Sequence, residues 1–267
     1  MDIRANIRRI AFKKGYLIEK LSPITNVKNF ISQFKDKYVS CELIRVGSEF
    51  DGGYLHPNLL KTISYCFSPG VAYQASFEKE LSEKFKIKSF MADASVKEAP
   101  QLDDNFEFIP KFLGTYTKNE FITLTDWIKQ SKVTDEDSKI LQMDIEGAEF
   151  DVLLYESAEI LASFSTLIIE FHFMERMFQK DFLKMLKIIF EKIYKNFSIC
   201  HVHPNNCCGI YSLNGVDVPR VMEVTFVRND LINSVLSTNP IHLPHSLDRK
   251  NLEDKRDLVM PEMWWRK

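Results

Sequence analysis

Four carboxylates crowd the stretch LQMDIEGAEFDVL, residues 141–153: Asp144, Glu146, Glu149 and Asp151. They stand where an apolar run gives way to a helical pattern. A carboxylate that ends a buried strand is usually paired or functional, which makes Asp144 the residue to explain. Glu146 and Glu149 have a plainer role open to them, because acidic residues in a first helical turn complement the positive end of the dipole.

Histidines gather at two later strand ends. IIEFHF puts Glu170 and His172 on one strand face, and CHVHPNN does the same for His201 and His203. A lone histidine is more often a hydrogen-bonded structural residue than a catalyst. Here, though, Asp144, Glu170, His172 and His203 are expected to converge on one sheet edge. Asn205 and Asn206 either bond a polyhydroxylated substrate or form the turn after that strand.

Two glycine turns complete the chemistry-bearing set. CFSPGVAYQASFE, residues 66–78, reads as a strand, a tight turn at Pro69 and Gly70, and a helix, which is where a doubly wound fold holds a nucleotide. It lacks G-x-G-x-x-G, so a ligand without a pyrophosphate suits it better. The next strand, KSFMADAS, ends in Asp93, a side chain able to accept both hydroxyls of a ribose or simply to fix a turn. EFDGGYLHP reads by default as a hairpin turn; the alternative is that Gly52 and Gly53 let the backbone approach a ligand bonded by Asp51 or Tyr54.

These residues need a frame to position them. ISYCF, IKSFMA, FEFIPKFL, KILQMDI, TLIIEFHF, FSICHVH and VMEVTFV are seven short runs, most of them rich in β-branched or aromatic residues. Helical or loop segments separate most of them, such as YQASFEKELSEKF with Phe77, Leu81 and Phe85 at helical spacing. The alternation predicts an α/β fold: a mostly parallel sheet with helices on both faces, binding ligands beyond the carboxyl ends of its strands. A basic, amphipathic arm, IRANIRRIAFKKGYLIEKL, precedes the body and is expected to pack against it rather than lie on an anionic membrane. The expected division is an N-terminal helical arm over 1–40, a main domain over 41–250, and a tail over 251–267 whose Trp264 and Trp265 cover the body or a second subunit.

A chain of 267 residues with 45% hydrophobic and 27% charged residues and a formal net charge of −2 has no excess of positive charge for gripping nucleic acid. Five cysteines without a C-x-x-C pair indicate neither a disulfide framework nor a zinc finger. No apolar run approaches the length of a bilayer span, and no secretory signal pattern opens the sequence, so the expected location is the cytoplasm.

The blocks CFSPGVAYQASFEKEL, Asp93, KILQMDIEGAEFDVL and IIEFH resemble those of the FkbM-type S-adenosylmethionine-dependent methyltransferases. DGGY, HVHPNN, VMEVTFVR and LPHSLD extend the resemblance over roughly residues 44 to 250. The resemblance implies a Rossmann-like, seven-stranded class I fold. It implies that Ser68, Pro69 and Gly70 line the methionine portion of S-adenosylmethionine, Glu78 supports that turn, Asp93 holds the ribose and Asp144 sits beside the methyl group. Asp51, Gly53 and Tyr54 join the cofactor set. The implied reaction is O-methylation of a sugar hydroxyl, on a nucleotide-linked sugar or a surface-polysaccharide precursor. Asp144 or His172 would take the hydroxyl proton, with Glu170 and His203 nearby. A divalent ion held by Asp144 with Glu170 or His203 is the other route, and the sequence leaves both open. Two other functions are weighed against this one. A nicotinamide-dependent sugar oxidoreductase is disfavoured by the missing G-x-G-x-x-G and the lack of a Tyr-x-x-x-Lys pair near the site. A non-catalytic carbohydrate-binding or scaffold protein is disfavoured by the intact Asp93, Asp144 and Glu146. A homo-oligomer stays open.

Overall fold

The computed structural model describes residues 3–16, 18–101 and 103–267. Two helices come first, α1 (Ile3–Lys13) and α2 (Ile24–Asp36). α2 carries Val27, Phe30, Ile31 and Phe34 at i, i+3, i+4 and i+7, and all four are buried. It packs into the main core and lies within the 1–40 stretch expected to form the N-terminal helical arm. α1 differs: Ile7, Ile10 and Phe12 are exposed, so the packing expected of it is not made by these residues.

A hairpin follows, β1 (Leu43–Gly47) and β2 (Gly53–Pro57), antiparallel around the Asp-Gly turn. The main sheet is then laid down in chain order by β3 (Tyr65–Pro69), β4 (Lys88–Ala92), β5 (Phe106–Ile109), β6 (Lys139–Met143), β7 (Thr166–Phe171), β8 (Phe197–Pro204) and β9 (Met222–Arg228). Each lies within, or within a residue or two of, one of the seven runs read from the sequence. In space the order is β5-β4-β3-β6-β7-β9-β8. β3 to β7 pair in parallel, and β9 runs antiparallel to both β7 and β8. Because the chain goes outward from β3 to β5 and returns at β6, the order reverses between β3 and β6. In open α/β sheets that reversal leaves a crevice beyond the strand ends, since the two connections leave in opposite directions.

The connecting helices are α3 (Ser76–Phe85), α4 (Leu124–Ser131), α5 (Glu149–Tyr155), α6 (Ala158–Ala162) and α7 (Lys180–Tyr194). The helical pattern that follows Asp144 forms two helices, broken at Glu156 and Ser157. Ser157 caps α6 by accepting the Ile160 N–H at 3.2 Å, an alternative to continuing the α5 ladder.

The two sheet faces are covered differently. Leu141, Leu167, Ile169, Val202 and Val224 share one core with Phe30 and Phe34 of α2, Phe150 of α5 and Leu186 and Phe190 of α7. The C-terminal tail closes that core: Trp264 is fully buried, with its ring edge-on to Phe34 at 5.1 Å and its indole N–H donating to the Asp217 carbonyl at 2.9 Å. The other face is covered by α3 and, where a second layer of helices was expected, by the hairpin. The Thr225 hydroxyl donates to the Leu55 carbonyl at 2.9 Å, and His56 Nε2 lies 2.8 Å from Thr166 Oγ1. Among the described residues no helix is long and apolar enough to cross a membrane.

Candidate active site

A cavity of about 590 Å³ opens at the carboxyl ends of β3, β4 and β6, at the point where strand order reverses. That volume falls within the range of small-molecule sites. Of the residues singled out from the sequence, Asp51, Tyr54, Gly70, Glu78, Asp93 and Asp144 line it, joined by Glu146.

Gly70 makes the crevice possible. It adopts φ +89°, and a Cβ there would stand 1.6 Å from the Asp144 carbonyl oxygen, so the ends of β3 and β6 meet over a residue with no side chain. Asp93 closes the adjacent loop. Its Oδ2 accepts the Ala72 N–H at 2.8 Å and its Oδ1 accepts the Ser95 N–H at 2.7 Å. Each carboxylate oxygen retains a second lone pair.

Ser68, Pro69 and Gly53 are not in the cavity wall. Ser68 is fully buried behind it, bonded to Glu78 and Gln142, while the Gln142 amide donates to Tyr54 Oη at 3.1 Å. Burial raises the Glu78 carboxyl above its usual range, against the opposing hydrogen bond from Ser68. Gly53 closes the hairpin loop, since a Cβ there would meet the Ser48 carbonyl oxygen at 2.0 Å.

At the rim, Glu146 and Gly147 both adopt left-handed backbone, φ +55° and +105°, which turns the chain sharply between β6 and α5. Glu149 holds the turn. Fully buried, it accepts the Gly147 N–H at 2.8 Å through Oε2 and the His172 N–H at 2.6 Å through Oε1. Its work is thus to tie the β6–α5 loop to the end of β7, beyond merely charging the helix start.

His172 sits among three acids, with Nε2 at 3.8 Å from Asp144 Oδ1 and 3.5 Å from Glu146 Oε2, and Nδ1 at 3.4 Å from Glu149 Oε1. Burial by itself would lower the imidazole pKa, but the bond and charge of Glu149, then the charges of Asp144 and Glu146, outweigh it and raise it. The Asp144 carboxyl is pushed up to about 7, chiefly by burial, with His172 opposing and the charges of Glu146 and Asp51 adding. Its Oδ1 is buried without a hydrogen-bond partner. Asp144, Glu146 and His172 offer ligand atoms within 4.8 Å of one another, so this group has the donors for a divalent ion as well as for proton transfer.

Glu170 is the neighbour of this cluster on β7. Burial, then the charges of Asp144 and Glu223, drive its pKa well up; its Oε1 accepts the Asn205 amide at 2.8 Å, and its Oε2 is buried without a partner. His203 stands elsewhere. It lies on β8, three strand spacings from β6, or about 14 Å at the usual inter-strand distance. One ion cannot be shared between Asp144 and His203 across that gap.

Sequence reading passed over Glu223, which register places between Glu170 and His203 on the same sheet face. Burial raises its carboxyl, partly offset by His203, and it accepts the Asn251 amide at 2.6 Å. The signal was there: an acid at an alternating position inside VMEVTFV. Gln142, two residues before Asp144 in β6, was missed for the same reason.

Residues 76–196 match the sequence model described as the methyltransferase FkbM domain, a narrower span than the 44 to 250 of the resemblance. No curated protein matches the chain. Among solved structures, one is a prophage-encoded protein of E. coli described as a DNA modification methyltransferase, at 9% identity and TM-score 0.37 over 63% of this chain and 47% of that one. The chain thus spans about half the length of that protein. Another is precorrin-6y C5,15-methyltransferase from Geobacter metallireducens, at 11% identity and TM-score 0.35 over 63% and 85%. A third is TrmK of M. capricolum in complex with S-adenosylhomocysteine, at 13% identity and TM-score 0.33 over 64% and 66%. From the start of α3 to the residues just beyond α7, the chain is similar to the methyltransferase FkbM domain.

Proposed function

We propose that the protein is an S-adenosylmethionine-dependent O-methyltransferase of the Rossmann-like class I type, acting on a sugar hydroxyl of a nucleotide-linked sugar or a surface-polysaccharide precursor. The observation that carries this reading is the unpartnered Oδ1 of Asp144, a residue that lines the same cavity as Asp93. A buried carboxylate oxygen without a donor is costly, and a bound hydroxyl removes the cost.

The residues fit the cofactor. The free lone pairs of Asp93 suit a ribose diol, and the Gly70 turn leaves backbone rather than side chain against the ligand. When bound, S-adenosylmethionine supplies an electrophilic sulfonium methyl. The chain's own part is positioning and proton removal. Asp144, with a pKa of about 7, is near the point where a carboxylate can both accept the hydroxyl proton and be charged at neutral pH. His172 steadies the charged carboxylate, and Glu149 fixes the imidazole. Buried carboxyl groups such as Glu170 favour a neutral, hydroxyl-rich acceptor over an anionic one. In this reading the protein works in the cytoplasm without a membrane span.

The test is calorimetric titration with S-adenosylhomocysteine, followed by transfer of labelled methyl from S-adenosylmethionine to a panel of nucleotide sugars. Micromolar binding that is lost in Asp93→Ala, with label appearing on a sugar, supports the proposal. Absence of binding would remove the cofactor, and label on a nitrogen or carbon acceptor would remove the sugar hydroxyl.

A further inference from the structure

On the same sheet face but toward its β8 edge, three strand spacings from Asp144, three ligating side chains meet away from the proposed chemistry. β8 carries His201 and His203 on one face, opposite Thr225 and Glu223 of β9. Asp248 reaches them from the C-terminal segment. His201 Nε2 lies 2.8 Å and His203 Nδ1 3.7 Å from the same oxygen, Asp248 Oδ1, and the three side chains are at most 6% exposed. Their ligand atoms all lie within 4.8 Å of one another.

Hydrogen bonding alone leaves this group incomplete. Asp248 is committed on both sides, with Oδ1 on His201 and Oδ2 accepting the His245 N–H at 2.7 Å. His203 has neither ring nitrogen bonded, and both are buried. A neutral imidazole has one donor and one acceptor to satisfy, so a buried ring with neither engaged is costly.

We infer that His201, His203 and Asp248 form a binding site for a first-row transition-metal ion of the Zn²⁺ class. Two imidazoles and one carboxylate are the donors such ions favour, whereas Mg²⁺ and Ca²⁺ take oxygen sets. Bonds of about 2.0–2.1 Å would space tetrahedral ligand atoms about 3.3 Å apart. The His203–Asp248 separation is already near that, and the His201–Asp248 pair opens by about half an ångström as its hydrogen bond gives way to two metal bonds. Glu223, across the strand from His203, is placed to complete the shell or to orient it. The enclosed position makes the ion structural: it pins the segment around Asp248 and Asn251 over the sheet, and so walls in the Glu170–Glu223 row beside the proposed acceptor site.

The site stands independently of the proposed function, and its test is metal content. Full-length protein is dialysed against Zn²⁺, freed of loose ion by gel filtration and measured by inductively coupled plasma mass spectrometry. About one equivalent is expected in the wild type and in His172→Ala, with Zn²⁺ affinity falling more than ~100-fold in His203→Ala and Asp248→Asn. Substituted Co²⁺ should give the visible bands of a four-coordinate site, and a chelator should lower the melting temperature. The wild-type measurements stand even where a variant fails to fold. Absence of stoichiometric metal, or metal lost in His172→Ala but kept in His203→Ala, would overturn the assignment.

Discussion

His172 Nε2 lies 3.8 Å from Asp144 Oδ1, while the other ring nitrogen faces the fully buried Glu149. One imidazole therefore links a carboxylate with an unpartnered oxygen to a carboxylate with both oxygens occupied. The first is free to react and the second is fixed, which divides the acidic cluster of the β6–α5 loop into a chemical part and a supporting part.

Asp144→Asn should reduce methyl transfer by about 10²–10⁴-fold while leaving S-adenosylhomocysteine binding unchanged. It should also stabilise the fold at pH 8. The folded-state pKa of Asp144 is raised to about 7 from an ordinary 3.8, so its stabilising contribution is full below pH 3.8 and is lost as pH rises through about 7. Above that, the fold bears a buried charge that asparagine lacks, an effect on the order of 1–3 kcal/mol. Full turnover in this variant would remove Asp144 from the mechanism, and thermal denaturation at pH 5 and pH 8 reads the stability change.

The pH dependence of kcat/KM should rise about tenfold per unit below pH 7 and level off above it, because the base acts only when deprotonated. Asp144→Asn should abolish that limb. In His172→Gln the midpoint should move upward, since the charge that favours ionised Asp144 is gone. A profile unaltered by either change would assign the proton transfer to another group.

Gly70→Ala should be strongly destabilising or fail to fold. The new methyl would stand 1.6 Å from the Asp144 carbonyl oxygen, at a φ of +89° that an L side chain rarely adopts. A loss of at least ~3 kcal/mol in urea denaturation is expected, with loss of S-adenosylhomocysteine binding in whatever folds. Wild-type stability and affinity would show that the two strand ends do not meet as described.

Glu149→Gln replaces an acceptor of two backbone N–H groups by a side chain whose NH₂ faces one of them. The expected cost is ~1–3 kcal/mol, with faster amide exchange at Gly147 or His172. Turnover should fall more than cofactor binding, because the imidazole loses its support. Equal stability and exchange in the variant would reduce Glu149 to a charge on the helix.

The seven sheet strands and the covering role of Trp264 were legible in the chain because each is a local pattern: a β-branched or aromatic run, or an apolar pair in a polar tail. The meeting of Asp144 and His172 followed from strand ends on neighbouring elements. Tertiary structure decided the rest. Strand order put His203 three spacings from Asp144, although both end strands at the same sheet edge. The packing of the hairpin, in place of a helix, decided what covers the second face. Ser68 and Gly70 are two residues apart, yet one is sealed behind the wall and the other forms it, since Ser68 still lies within the buried β3 while Gly70, just past its end, takes the left-handed backbone that turns the chain along the Asp144 carbonyl. Asp248 joined His201 and His203 across more than forty residues of chain, through a segment whose own pattern names no partner. Composition and periodicity set which elements form, because those depend on near neighbours; which side chains share a site depends on how those elements stack, and that is settled only when the whole core is buried at once.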